Sequence, residues 1–334
     1  MVPIAVSMGD PAGIGPEIIA KAWNVRQQEG LAPFFAVGDV RAVQAVWQGP
    51  VVPISDPKEA VSVWDKALPV LSVNDAGDIS PGAPDVDGAR CALHALEAAV
   101  GLTRSSAASA LVTGPVSKVQ LYKIGFTDPG QTEFVAERCG IARENAVMML
   151  AGPGLRVVPI TTHVPLSAVS QLLSVELLLS KGLATARGLN RNFGISRPRL
   201  AFAGFNPHAG EQGTIGREEI DILIPAIERL REEGVDAVGP YAADAMFHPR
   251  ARLGYDAALC CYHDQALIPL KTLFFDCGVN ITLGLPIVRT SPDHGTAFGI
   301  AGTNMAEPGA MIAAIRLAAE ATHQRVRYGA AGLE

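Results

Sequence analysis

The stretch Ile4-Ala5-Val6-Ser7-Met8-Gly9-Asp10-Pro11-Ala12-Gly13-Ile14-Gly15-Pro16-Glu17 sets the architecture of the chain. Its first four residues are apolar or small and read as a strand. The segment that follows is rich in Gly and Pro and reads as a turn. Pro16 near the first helical position and Glu17 in the first turn begin a helix that the pattern carries over 16–29. The plain reading is a tight strand-to-helix connection. The functional reading is a backbone that lines an active site or receives an anion at a helix N-terminus. The glycines are not spaced as GxGxxG, so no Rossmann dinucleotide fingerprint is present.

The same alternation continues downstream. Short apolar runs at 34–37, 51–54, 111–113, 147–150, 157–161, 199–202 and 259–262 read as strands. Longer stretches at 87–99, 175–189, 218–233 and 306–322 read as helices. Strands alternating with helices imply an α/β architecture with a largely parallel sheet. No internal repeat and no low-complexity linker interrupts the pattern. A length of 334 residues, against roughly 100 to 200 per domain, allows two domains with a core each.

Composition narrows the function. The chain is 49% hydrophobic and 18% charged, with a mean hydropathy of +0.24, which is the balance of a compact globular protein. Twenty-seven Lys and Arg against 33 Asp and Glu give a net charge of -6, and no basic run offers a footprint for nucleic acid or an anionic membrane. No apolar run reaches the roughly 18 residues needed to span a bilayer, and the N-terminus lacks the pattern of a secretory signal, so a cytoplasmic location is expected. The five cysteines form no CxxC pair and are expected as free, mostly buried thiols.

The chemistry gathers at predicted strand ends, where open α/β sheets bind their ligands. His163 follows Thr161-Thr162, His208 lies in Asn206-Pro207-His208-Ala209-Gly210, and His263 lies in Cys261-Tyr262-His263-Asp264-Gln265. A lone histidine is more often a satisfied surface or core group, but three neutral imidazoles around an open position are a common catalytic zinc arrangement. His94 and His323 read as structural or exposed, and His248 is open. Asp264 and Asp244 are each readable as an orienter of an imidazole, a general base or a helix cap. Lys271, Asn280 and Arg289 are spaced along an otherwise apolar region, and Lys with Arg is the usual pair for phosphate or carboxylate. Ile287 and Val288 beside Arg289 argue against a solvated face there. The loop Ser291-Pro292-Asp293-His294-Gly295-Thr296-Ala297-Phe298-Gly299 has glycines that let a ligand approach the backbone.

Five blocks together carry a resemblance: Gly9 to Glu17, Asn206-Pro207-His208-Ala209-Gly210-Glu211, Tyr262-His263-Asp264-Gln265, Gly278-Val279-Asn280, and Arg289-Thr290-Ser291 through Asp293-His294-Gly295-Thr296-Ala297. They run in order along essentially the whole chain, which resembles the 4-hydroxythreonine-4-phosphate dehydrogenase family of pyridoxal phosphate biosynthesis. The resemblance implies a two-domain α/β fold of the isocitrate and isopropylmalate dehydrogenase kind with the active-site cleft between domains. It places 1–130 with 285–334 on the cofactor side and 131–284 on the metal, substrate and dimer side. His163, His208 and His263 become ligands of a divalent metal, zinc first, with magnesium or cobalt as the other choices, in a site completed across a homodimer. Gln131, Thr132, Lys271, Asn280 and Arg289 hold the substrate. Asp293, His294, Gly295 and Thr296 lie against the adenosine half of NAD, or of NADP. Asp264 or Asp244 assists proton transfer.

The implied reaction is oxidation of 4-hydroxythreonine 4-phosphate at C3 with decarboxylation to 3-amino-2-oxopropyl phosphate. Gln131 stands where the family pattern leads one to expect His, and an amide donates without carrying a titratable charge. That departure keeps open a sister dehydrogenase acting on 4-phosphothreonate or a dihydrodiol acid. A metal-dependent hydrolase or lyase without NAD is the alternative from another class. A mere binding protein leaves the histidines and the anion-binding groups unexplained.

Overall fold

A computed structural model describes residues 2–330 of the chain. Its twelve strands are β1 Ile4–Ser7, β2 Phe34–Gly38, β3 Val51–Ile54, β4 Leu68–Ser72, β5 Leu111–Thr113, β6 Val147–Gly152, β7 Leu155–Pro159, β8 Arg199–Ala203, β9 Asp236–Tyr241, β10 Ala257–Cys260, β11 Val279–Leu283 and β12 Arg289–Pro292. The described residues fall into two compact units, 2–141 with 285–323, and 142–284 with 324–330.

The first unit carries the strand order β3-β4-β2-β1-β5-β12. Every pair in it is parallel. β1 has neighbours on both edges and its four residues are all buried, which explains an apolar run without alternation. Helix Gly15–Asn24 follows it, shorter than the sequence pattern suggests. Helix Val86–Arg104 starts where the Asp85 side chain accepts the Gly88 N–H at 2.7 Å. Helix Gln131–Arg138 also belongs to this unit, although the expected boundary lay at 130. Its Phe134 ring packs 5.7 Å from Phe126, and Arg138 donates to Glu97 at 2.8 Å.

The second unit carries the order β11-β6-β7-β10-β8-β9. Here β6 runs antiparallel to both β11 and β7, while β7, β10, β8 and β9 are parallel. Leu150, Val157, Ala201, Ala258, Leu267 and Leu270 form its core. Helix Val175–Phe193 is capped by Ser174, whose side chain accepts the Leu177 N–H at 3.1 Å, and ends on Gly194 at φ 67°. The predicted helix over 218–233 is a π-helical turn, Glu219–Leu223, running into helix Ile224–Glu232. The last helix, Gly309–Ala330, begins later and runs further than 306–322. Its end counts with the second unit, where Arg325 donates to Asn192 at 2.7 Å.

All five cysteines are free, with Cys91, Cys260 and Cys261 buried. Among the described residues no single helix is long and apolar enough to cross a membrane.

Candidate active site

In the first unit the sequence candidates gather around Arg289. It sits on β12 at 3% exposure, and its Nη2 donates to the Thr113 hydroxyl at 2.7 Å and its Nη1 to the Thr132 hydroxyl at 3.2 Å. The parallel register sets Arg289 opposite Leu111, and Thr113 lies two residues on along β5, on the same face. Burial lowers the Arg289 pKa to about 10, partly opposed by Glu133, so the guanidinium stays charged at neutral pH. Gln131 and Thr132 open helix Gln131–Arg138, whose preceding residue is Gly130. Gln131 donates its amide to the Gly114 carbonyl at 3.2 Å. A fixed, buried cation held by two threonine hydroxyls can receive a phosphate or carboxylate.

Asp293, His294, Gly295 and Thr296 form the loop that leaves β12. His294 Nδ1 lies 3.1 Å from the Gly295 carbonyl, and the Thr296 carbonyl accepts the Ile14 N–H at 3.0 Å. The buried atoms Gln131 Oε1 and His294 Nε2 have no hydrogen-bond partner within the protein. Buried polar atoms are normally paired, so their coincidence with candidate ligand-binding residues marks positions a ligand would satisfy.

In the second unit His163 and His263 come together. Their ring centres are 5.7 Å apart at 43°, at a pocket of about 220 Å³ whose walls include Thr161, Tyr262 and Asp264. His263 is the first residue of helix His263–Phe274, and its Nδ1 lies 2.7 Å from the Asp264 carboxylate. That contact orients the ring and leaves Nε2 for a ligand. Two imidazoles on one tetrahedral ion, with metal–nitrogen bonds of roughly 2 Å, place their ring centres roughly 5 Å apart. The pair therefore fits a divalent metal in spacing and in donor chemistry.

His208 is not gathered with them: among the described residues no group of three His, Cys, Asp or Glu side chains could hold a metal ion. It lies exposed in a turn, Pro207–Gly213, where His208, Ala209, Gly210, Glu211 and Gln212 all have left-handed backbones, with φ between 43° and 78°. His163 is left-handed too, at φ 49°. Strained backbone of this kind concentrates at functional sites. Asn206 ties the turn down, its N–H donating to Glu219 at 2.7 Å and its Nδ2 to Glu218 at 2.7 Å and Glu219 at 2.9 Å.

Lys271 lies half-buried on helix His263–Phe274, in a groove of about 490 Å³ that also touches His263 and Asp264. Asn280 lies on β11 opposite Leu150, with its Oδ1 buried and without a partner in the protein. Asp244 is exposed inside the short turn Ala243–Ala245, which starts from Ala242, so it is not the cap that its sequence suggests. His248 is settled as a helix cap, its Nδ1 accepting the Ala251 N–H at 3.3 Å. His94 and His323 are exposed on helices.

Three residues with bearing on these groups were not singled out from the sequence. Thr113 closes an apolar strand and carries no local signal. Glu219 looks like one acid of a charged helix. Asp10 belongs to the opening motif, but only the structure shows it at 1% exposure with a pKa raised to about 6, mainly by burial.

A family profile described as "Pyridoxal phosphate biosynthetic protein PdxA" matches residues 31–318. A protein of Zymomonas mobilis named 4-hydroxythreonine-4-phosphate dehydrogenase is 57% identical over 328 residues, covering 98% of each chain. The crystal structure of 4-hydroxythreonine-4-phosphate dehydrogenase from Klebsiella pneumoniae is similar at 36% identity and a TM-score of 0.85, covering 96% of this chain and 100% of that one. A terephthalate 1,2-cis-dihydrodiol dehydrogenase from Burkholderia xenovorans is similar at 30% identity and a TM-score of 0.66, over 96% and 98% of the two chains. Matched along nearly its whole length in sequence and in fold, the chain belongs to the PdxA family of pyridoxal phosphate biosynthetic proteins.

Proposed function

We propose that the protein oxidises 4-hydroxythreonine 4-phosphate at C3, with NAD as acceptor and decarboxylation to 3-amino-2-oxopropyl phosphate, in pyridoxal 5'-phosphate biosynthesis. The observation that carries the substrate is the buried Arg289 bonded to the Thr132 hydroxyl at the start of helix Gln131–Arg138. A guanidinium at 3% exposure, held by two threonine hydroxyls, is fixed in place to receive an anion. The relatives' names support the same reading.

Arg289 holds one anionic group of the substrate, with Thr132 and Gln131 as neutral donors; Lys271 and Asn280 are the further substrate-binding residues that the family resemblance implies. Asp264 holds His263 in one ring orientation, and Asp264 or Asp244 takes the hydroxyl proton. His163, His208 and His263 would hold a divalent ion, zinc first and magnesium or cobalt otherwise, which would supply Lewis-acid polarisation at the reacting oxygen. NAD, with NADP as the alternative, would supply the hydride acceptor, its adenosine half held by Asp293, His294, Gly295 and Thr296. A homodimer would let His208 join the other two histidines from the neighbouring chain. Ile268 at 63%, Leu273 at 45% and Phe275 at 76% exposure, on and next to the helix that begins with His263, supply the apolar surface for that association.

A second reading, oxidation of a dihydrodiol acid, is favoured by the likeness to the Burkholderia xenovorans enzyme and by the uncharged Gln131. The test is NADH formation at 340 nm with added divalent metal, comparing 4-hydroxythreonine 4-phosphate, its unphosphorylated form and a dihydrodiol acid. The phosphorylated substrate is expected to win, and Arg289→Ala to lower its kcat/KM by roughly 10- to 100-fold. Equal turnover without the phosphate overturns the phosphate reading, and no absorbance change with any substrate favours a hydrolase or lyase.

A further inference from the structure

The opening motif Gly9 to Glu17 lacks the spacing of a dinucleotide turn. Its Asp10 N–H donates to the Pro115 carbonyl at 2.9 Å and its Ala12 carbonyl accepts the Gly82 N–H at 2.7 Å, while its helical end is bonded to the segment after β12. The Glu17 carboxylate is 2% exposed and accepts the Ala306 N–H at 3.1 Å on Oε1 and the Gly302 N–H at 3.2 Å on Oε2. Lys21, one helical turn on, donates to Glu17 Oε1 at 2.9 Å and to the carbonyls of Asn304 and Ala306 at 2.8 and 2.7 Å. At the other end of the segment, Ile14 N–H donates to the Thr296 carbonyl at 3.0 Å. Gly13 is so close that a Cβ there would lie 3.1 Å from the Thr296 oxygen and 3.2 Å from its Cβ.

Apart from the Lys21–Glu17 pair, these bonds go to main-chain groups between 296 and 306, a stretch whose outer side is open. Gly302, Thr303, Asn304 and Met305 are exposed, and Ala297 and Asn304 have left-handed backbones at φ 44° and 63°. A loop with few apolar anchors stays loose unless something fixes its inner side, and a ligand that binds a loose loop loses affinity to the cost of ordering it. Glu17 fixes that side with a buried charge that Lys21 neutralises.

We infer that Glu17 is a positioning residue for the dinucleotide: through Gly302 and Ala306, with Ile14 and Gly13 acting at Thr296, the opening motif holds the loop after β12 in its ligand-binding form. This rests on the reading of Asp293 to Thr296 as the NAD-binding loop. Glu17 touches no reacting atom. Its effect is confined to affinity for NAD.

The experiment measures NAD binding by titration calorimetry on the purified protein, with kinetics in parallel. Glu17→Gln puts an NH2 group against a main-chain N–H, so Kd and KM for NAD should rise about tenfold. KM for the hydroxy acid should stay within about twofold, which a general loss of fold would not permit. Gly13→Ala should act in the same direction, and Lys21→Met more weakly; these two decide the matter should Glu17→Gln fail to fold. Gly295→Trp tests the underlying reading by filling the open side of the loop and should abolish NAD binding. If it does so while Glu17→Gln, Gly13→Ala and Lys21→Met leave Kd unchanged, the inference alone falls. If Gly295→Trp also leaves Kd unchanged, the loop does not bind NAD and both fall.

Discussion

Asp10, in the turn that follows β1, keeps a carboxyl at 1% exposure whose Oδ1 accepts the Ala12 N–H at 3.0 Å. Burial raises its pKa from 3.8 to about 6, with Asp85 adding to the rise and the Ala12 bond opposing it. The folded chain therefore holds this proton more tightly than the unfolded chain. The stability so gained is complete below the unfolded pKa and is lost as pH rises to about 6, above which an ionised Asp10 costs about 3 kcal/mol relative to a protonated one. Asp10→Asn keeps the acceptor and removes the charge. It should exceed the wild type by about 2 to 3 kcal/mol in urea unfolding at pH 8, with the gap closing as pH falls from 6 towards 4; equal stabilities at pH 8 would refute the cost. Arg289 was legible because Ile287 and Val288 flank it, which is not the company of a solvated charge. Its partner Thr113 was not, because a threonine at the end of an apolar strand looks the same whether it meets a guanidinium or nothing. Burial of Asp10 was equally hidden, since a Gly- and Pro-rich turn is ordinarily on the surface.

The turn Pro207–Gly213 shows what a single short element can store. A left-handed backbone costs roughly 1 to 2 kcal/mol for each non-glycine residue, and His208, Ala209, Glu211 and Gln212 carry a Cβ in that conformation. The bonds from Asn206 to Glu219 and Glu218 are what the structure sets against that strain. Gly210, at φ 78°, has a Cβ position 2.6 Å from Glu219 Oε2. Gly210→Ala should therefore lower stability by about 1 to 3 kcal/mol, by strain and by disturbing that carboxylate, whereas Gly154→Ala, at φ 73° in open space, meets the backbone strain alone and should cost less. Urea unfolding of the two variants measures the difference, and equal losses would show that Glu219 is not crowded. Elements with clean apolar runs were readable: β1, β3 and β5 begin and end where the sequence pattern puts them. Four strands were hidden by their own residues. β12 is Arg-Thr-Ser-Pro with no apolar run, β4 contains Pro69, β9 contains Gly239-Pro240, and β11 mixes Asn280 and Thr282 into its apolar positions. Helix His263–Phe274 was hidden by Pro269 inside it.

At the scale of the molecule, length suggested two units, but their limits depend on pairings that no local pattern shows, such as Phe134 with Phe126 and Arg325 with Asn192. The candidate metal ligands divide as well: one chain pairs His163 with His263 and leaves His208 apart. If two chains complete each site, His208→Ala and His263→Ala are each inactive alone. Mixed in equal amounts and allowed to exchange subunits, they should recover about a quarter of wild-type activity, because half of the dimers are hybrids and each hybrid keeps one intact site. No recovery, with subunit exchange verified, would place all three ligands in one chain. The division into units also bears on synthesis. The second unit is nearly one continuous run, 142–284, whereas the first is two runs with that whole unit between them. A ribosome therefore delivers β1 to β5, then the entire second unit, and only afterwards β12. Until then the nascent five-stranded sheet waits with the edge of β5 unpaired and in need of protection from wrong partners. Because Arg289 arrives on that last strand, a chain released early lacks both the closing strand and the guanidinium, and only a finished chain can be rescued by its own ligand.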